Sequence, residues 1–179
     1  MLWKISKEFD FCYGHRVWSQ TLNEDLSIDT CLCCRHLHGH NGKVKVYLSS
    51  EKLEKGMVTD FKHLGWFKKF LDDTLDHKFI IDINDPLFET MLPLYKDKIN
   101  LVSHKEGYKT PDLNYIKNEP KHIHEMYEGF VIVDFVPTSE EISAWLLKIV
   151  EVKMKSLNIK VSHIEFLETP KSKSVVYSS

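Results

Sequence analysis

Apolar residues alternate with polar ones over two N-terminal stretches. Trp3, Ile5, Phe9 and Phe11 stand among polar neighbours in residues 2–13, and Val44, Val46 and Leu48 do so in residues 37–49. A period of two is that of a strand with one buried face. Paired antiparallel, the two strands would set the end of the first beside the start of the second. A helical period takes over after Gly56: Phe61, Leu64, Phe67, Phe70, Leu71 and Leu75 recur at its spacing, with Thr59 as N-cap and an end near Asp76-His77. A second helix opens at Pro137-Thr138-Ser139-Glu140-Glu141, where Thr138 and Glu141 have the spacing of a capping box. Its buried stripe is Ile142, Trp145, Leu146, Ile149 and Val152. Glu141 closes the box in this scheme, and Glu140 is left for another task. Residues 129–135 read as a buried strand, and 160–168 and 174–177 as two more. Residues 18–33 form a polar loop. Residues 93–128 show no clear period, and so long an irregular stretch marks a functional loop or a mobile insert.

Composition narrows the class. The 179 residues imply one domain spanning 1–179 with an irregular insertion at about 93–128, and 42% hydrophobic residues supply a core. Twenty-four basic against 26 acidic residues give a net charge of −2, so no nucleic-acid partner is expected. No window approaches the roughly 18 apolar residues of a membrane span, and the first residues lack the apolar core of a signal peptide. Cys31, Cys33 and Cys34 crowd into four positions, a poor disulfide framework. A reducing cytoplasm is the expected location, with Cys12 a small core residue.

The candidate chemistry lies in Cys34-Arg35-His36-Leu37-His38-Gly39-His40. On a strand, His38 and His40 share a face, and Gly39 crowds neither side. Such a pair can hold zinc, with His15, at the end of the first strand, as the third ligand. Three neutral imidazoles leave the ion its full charge and one open position, which is a catalytic arrangement. His122-x-His124 has the same spacing but lies in the charged insert. A different class of reading joins Cys31-x-x-Cys34 to His38 and His40 as a structural zinc knuckle, which would make the chain a non-catalytic binding module.

Seven pieces in order carry a resemblance: Phe9 to His15, Cys34 to His40, Gly56 to Phe61, Leu75-Asp76-His77, Pro137 to Glu140, Leu167-Glu168-Thr169 and Tyr177. On these the chain resembles the 6-pyruvoyl-tetrahydropterin synthase superfamily, within it the 6-carboxy-tetrahydropterin synthase branch of queuosine biosynthesis. The resemblance implies an α+β tunnelling fold: a four-stranded antiparallel sheet with two helices on one face, subunits closing into an oligomeric barrel. It implies a homohexamer, a dimer of trimers, with active sites between subunits. It also implies a zinc-dependent carbon–carbon lyase. This would convert 7,8-dihydroneopterin triphosphate to 6-carboxy-5,6,7,8-tetrahydropterin, releasing acetaldehyde and triphosphate. A 6-pyruvoyl-tetrahydropterin synthase, limited to triphosphate elimination, is the alternative. The implied zinc ligands are His15, His38 and His40, and the implied catalytic residues are Cys34, Asp76 and His77. Glu168 is the implied pterin anchor, and Thr138, Ser139 and Glu140 form the implied substrate-binding segment at the helix start. The spacing of Cys34 before His38 favours the carboxy branch. Cys33 is the fallback thiol. Arg16 and the lysines of the insert are candidates for the triphosphate.

Overall fold

The computed structural model describes residues 1–179. Strand β1 is Trp3–His15 and β2 is His38–Ser50. Helix α1 (Gly65–Thr74) and strand β3 (Lys78–Asp82) follow. After them come α2 (Phe88–Met91), β4 (Leu101–Ser103), β5 (Lys109–Pro111), α3 (Lys121–Glu128) and β6 (Phe130–Val133). Helix α4 (Ser139–Lys155) and strands β7 (Lys160–Thr169) and β8 (Ser172–Tyr177) close the chain. The strands form one sheet in the order β4-β5-β6-β3-β1-β2-β7-β8.

That sheet corrects the expected four antiparallel strands. It has eight, and β3 runs parallel to both β1 and β6. Of the strands read from the sequence, β1, β2, β7 and β8 are adjacent in it, with β7 antiparallel to β2 and to β8, and the buried strand expected over 129–135 is β6, between β3 and β5. Lys43 reaches Glu8 at 2.7 Å, while the rings of His15 and His38 lie 4.5 Å apart. Residue number therefore rises along β1 as it falls along β2, which is the expected antiparallel pairing. Strand β3 escapes the period-two pattern because its residues turn from half-buried to buried without alternation, as parallel strands do.

The chain condenses into two compact units: Met1–Cys12, His40–Asp76 and Ser139–Ser179 form the first, and Tyr13–Gly39 and His77–Thr138 the second. In the first, Phe9, Phe11, Val44, Val46, Phe67, Leu71, Ile142, Leu146, Ile164 and Phe166 are buried. Phe9 meets Phe67 edge-on at 5.3 Å between ring centroids. Full burial of such side chains contributes roughly 1.5–3 kcal/mol each. The helix expected from Phe61 begins as a 3-10 turn over Phe61–Leu64, and Asp60 rather than Thr59 caps it, accepting from the Lys62 amide. Along α4 the stripe continues through Val150 and Met154, while Val152 is 78% exposed. Cys12, expected in the core, faces outward and donates its thiol to Asn41 Oδ1.

The second unit has a core of its own. Ile81, Phe88, Leu92, Tyr95, Ile116, Tyr127, Phe130 and Ile132 form one buried cluster. The stretch 93–128, expected to be irregular, is folded onto it through a 3-10 turn at Pro93–Tyr95, strands β4 and β5, and helix α3. Burial pushes the Tyr95 phenol up to about 12, with Tyr127, Asp112 and Tyr115 adding to the shift. Its hydroxyl donates to the Asp112 carbonyl at 2.9 Å. No helix of the chain is long and apolar enough to cross a membrane.

Candidate metal centre

The last residue of β1 and the first residues of β2 build the site. One nitrogen from each of His15, His38 and His40 lies within 4.8 Å of the others, and His15 is fully buried. Strand alternation puts His38 and His40 on one face, and Gly39 permits the close approach of β1. A Cβ on Gly39 would stand 2.8 Å from the Tyr13 carbonyl oxygen, a backbone atom that cannot move aside.

Two of the rings have fixed tautomers. His15 Nδ1 lies 2.6 Å from the Pro137 carbonyl oxygen, and His38 Nδ1 lies 2.8 Å from that of His36. A carbonyl oxygen only accepts, so each Nδ1 carries the hydrogen, and in the neutral ring each Nε2 then keeps its lone pair. Metal-binding histidines are held in this way, with the outer nitrogen donating to a carbonyl and the inner one free to ligate. The donor set therefore fits a metal ion, and the three histidines are positioned to bind one. Sequence spacing does not reveal Pro137 and His36 as supports, because every residue has a carbonyl.

Around this group the other expected residues take separate places. Glu168, in β7, has Oε1 3.6 Å from His40 Nε2, so its carboxylate stands next to the histidine group at a distance too long for a hydrogen bond. Cys34 is half-buried within a 3-10 turn over Cys33–Arg35. Its amide donates to Gln20 Oε1 at 3.0 Å, and its carbonyl accepts from the Val17 amide at 2.7 Å. Cys31 and Cys33 are exposed, and the three-ligand group contains no cysteine. Asp76 Oδ1 accepts the Cys12 amide at 2.7 Å, which ties the end of α1 to β1. His77 follows, exposed, with φ +59°, a left-handed conformation that side chains other than glycine seldom adopt. Thr138 precedes the first residue of α4, and its amide bonds to the Val136 carbonyl at 2.7 Å. The Ser139 carbonyl accepts from Ser174 Oγ at 2.8 Å, and Ser139 Oγ donates to Glu140 Oε2 at 3.2 Å. Glu140 itself is exposed.

The 6-pyruvoyl tetrahydropterin synthase family model matches residues 4–178. The 6-carboxy-5,6,7,8-tetrahydropterin synthase of Aquifex aeolicus is 30% identical to the chain, over 97% of each protein. That of Haemophilus influenzae is 28% identical over 77% of this chain and 96% of its own. Among solved structures, an uncharacterized protein from Wolinella succinogenes is 59% identical, with a TM-score of 0.98, over 100% of this chain and 99% of the other. The 6-pyruvoyl tetrahydropterin synthase of Caenorhabditis elegans shares the fold at a TM-score of 0.58 and 20% identity, covering 100% of this chain and 97% of its own. The chain belongs to the 6-pyruvoyl tetrahydropterin synthase family, and it is an enzyme of that family's lyase kind.

Proposed function

We propose that the protein is a zinc-dependent 6-carboxy-tetrahydropterin synthase. It converts 7,8-dihydroneopterin triphosphate to 6-carboxy-5,6,7,8-tetrahydropterin, with loss of acetaldehyde and triphosphate, toward a 7-deazaguanine such as queuosine. The observation that carries this reading is the trio of imidazoles, two with their outer nitrogens held by carbonyl oxygens. The Aquifex aeolicus relative, named as a 6-carboxy-5,6,7,8-tetrahydropterin synthase, supports it over 97% of the chain.

His15, His38 and His40 would hold the zinc. Bound there, the ion supplies Lewis acidity toward the hydroxyl oxygens of the substrate side chain, which acidifies the neighbouring C–H bonds. Cys34, as thiolate, removes a proton from carbon. His77 donates or relays a proton, and Asp76 supports its charge. Glu168 accepts the 2-amino group and ring N3–H of the pterin, two parallel donors suited to one carboxylate. Thr138, Ser139 and Glu140 line the substrate near the start of α4. The working form is a homohexamer, a dimer of trimers with active sites between subunits, in the cytoplasm. Its open sheet edges close through neighbouring copies.

Incubation of the zinc-loaded protein with 7,8-dihydroneopterin triphosphate tests the reading, with products followed by mass spectrometry. The carboxylated pterin and acetaldehyde are expected. A pyruvoyl product without acetaldehyde would assign the chain to the other branch of the family, and no turnover at all would remove the reading. Cys34→Ala is expected to keep zinc and pterin binding while losing turnover. Loss of zinc in that variant would contradict the proton-transfer role.

A further inference from the structure

Arg16 follows His15 directly, where β1 ends. Its guanidinium is the kind of cation a triphosphate needs, yet the residue is only 8% exposed. Nε lies 3.4 Å from Asp85 Oδ2, and the Asp85 side chain is 1% exposed. Asp85 is committed to its own turn as well, since Oδ1 accepts the Leu87 amide and its carbonyl accepts the Phe88 amide, both at 2.8 Å. Neither Arg16 Nε nor Asp85 Oδ2 completes a hydrogen bond, so the contact is ionic and buried. Desolvation cancels most of the attraction in such a pair, and apolar residues of like volume stabilise a fold as well or better. Stability alone does not account for the pair.

Position does. The three residues after His15 are each tied down: Arg16 to Asp85, the Val17 amide to the Cys34 carbonyl at 2.7 Å, and the Trp18 indole to Asp82 Oδ2 at 3.0 Å. On the other side the His15 ring is held by the Pro137 carbonyl. We propose that Arg16 is a positioning residue for the metal centre: clamped to Asp85, it fixes the backbone at the end of β1 and so the direction of the His15 imidazole. It does not bind the phosphate chain. This rests on the metal reading above.

The test separates folding from metal binding. The full-length protein is stripped of metal and titrated with Co²⁺, with the d–d absorption bands as readout and thermal unfolding in parallel. The double variant Arg16→Met/Asp85→Leu is expected to unfold at or above the wild-type temperature. It should bind Co²⁺ about 10-fold more weakly, the lower end of losses from support removed behind a metal ligand, and with shifted bands. Wild-type affinity and spectrum in the folded double variant would overturn the proposal. If that variant does not fold, Asp85→Asn keeps the volume without the charge and carries the same two outcomes. Tripolyphosphate binding is expected to be unchanged in either variant, and its selective loss with cobalt binding intact would return Arg16 to the phosphate. Failure of the unaltered chain to take up cobalt would defeat the metal reading, and this proposal with it.

Discussion

His-x-His occurs three times in the chain, and the fold treats two of these, 38–40 and 122–124, differently. His38 and His40 lie in β2, where alternate side chains share a face, and they join His15 in one group. His122 and His124 lie in α3, an eight-residue helix. Two positions along a helix turn the side chain by roughly 200°, so residues at that spacing do not face each other. His122 is exposed and His124 half-buried, as expected for different faces. Spacing therefore acquires chemical meaning only once the period of the backbone is known.

The comparison breaks most readily at the metal. His38→Ala and His40→Ala are each expected to lower zinc affinity by more than about 100-fold, since loss of mere support behind a ligand already reaches that order. His122→Ala and His124→Ala should leave it unchanged. Competition with a chromophoric chelator measures all four, and equal losses in both pairs would end the distinction. The residue between the histidines gives a second test. Gly39→Ala drives a Cβ to within 2.8 Å of the Tyr13 carbonyl, an overpacking of about 1–3 kcal/mol by urea denaturation, with weaker metal binding as well. Ile123 packs partly buried against the second unit's cluster, so Ile123→Ala should lose stability alone.

Glu168 sharpens the comparison from the substrate side, because its carboxylate stands next to His40. Glu168→Gln exchanges charge-assisted hydrogen bonds for neutral ones, and roughly 10-fold weaker pterin binding is expected with zinc occupancy intact. Unchanged pterin affinity in a calorimetric titration would remove Glu168 as the anchor. The smallest effect concerns a histidine used in a third way. His163 stacks on Tyr47 at 3.9 Å, and burial, aided by nearby Lys4, lowers its affinity for a proton below the ordinary 6.5. The unfolded chain then binds more protons as pH falls below that value, so stability rises with pH through this window and is lost on acidification. His163→Phe keeps the stacked ring and should flatten that part of the stability profile. An equally steep acid loss would assign it to other groups.

Where apolar residues alternate over many positions, the sequence is readable. Strands β1 and β2, their antiparallel pairing and the meeting of His15 with His38 and His40 all follow from Trp3 to Leu48. Strand β3 is not readable in this way, since Ile80 and Ile81 are both buried and no period remains to detect. Strands β4 and β5 are three residues each, shorter than any periodicity can register, so the folded stretch 93–128 looks irregular in sequence. The ligand trio is visible because side chains have letters. The carbonyls behind it, from Pro137 and His36, have none. Arg16 shows the converse case: its letter signals a free cation, and only the position of Asp85 reveals a buried clamp.

His77 holds its left-handed backbone at a position where glycine or asparagine would sit with less strain. A library of variants screened for heat tolerance alone would drift toward glycine there, hardening the scaffold while deleting the imidazole to which the proposed function assigns proton transfer. Directed evolution of this protein should therefore screen survivors for product at every round.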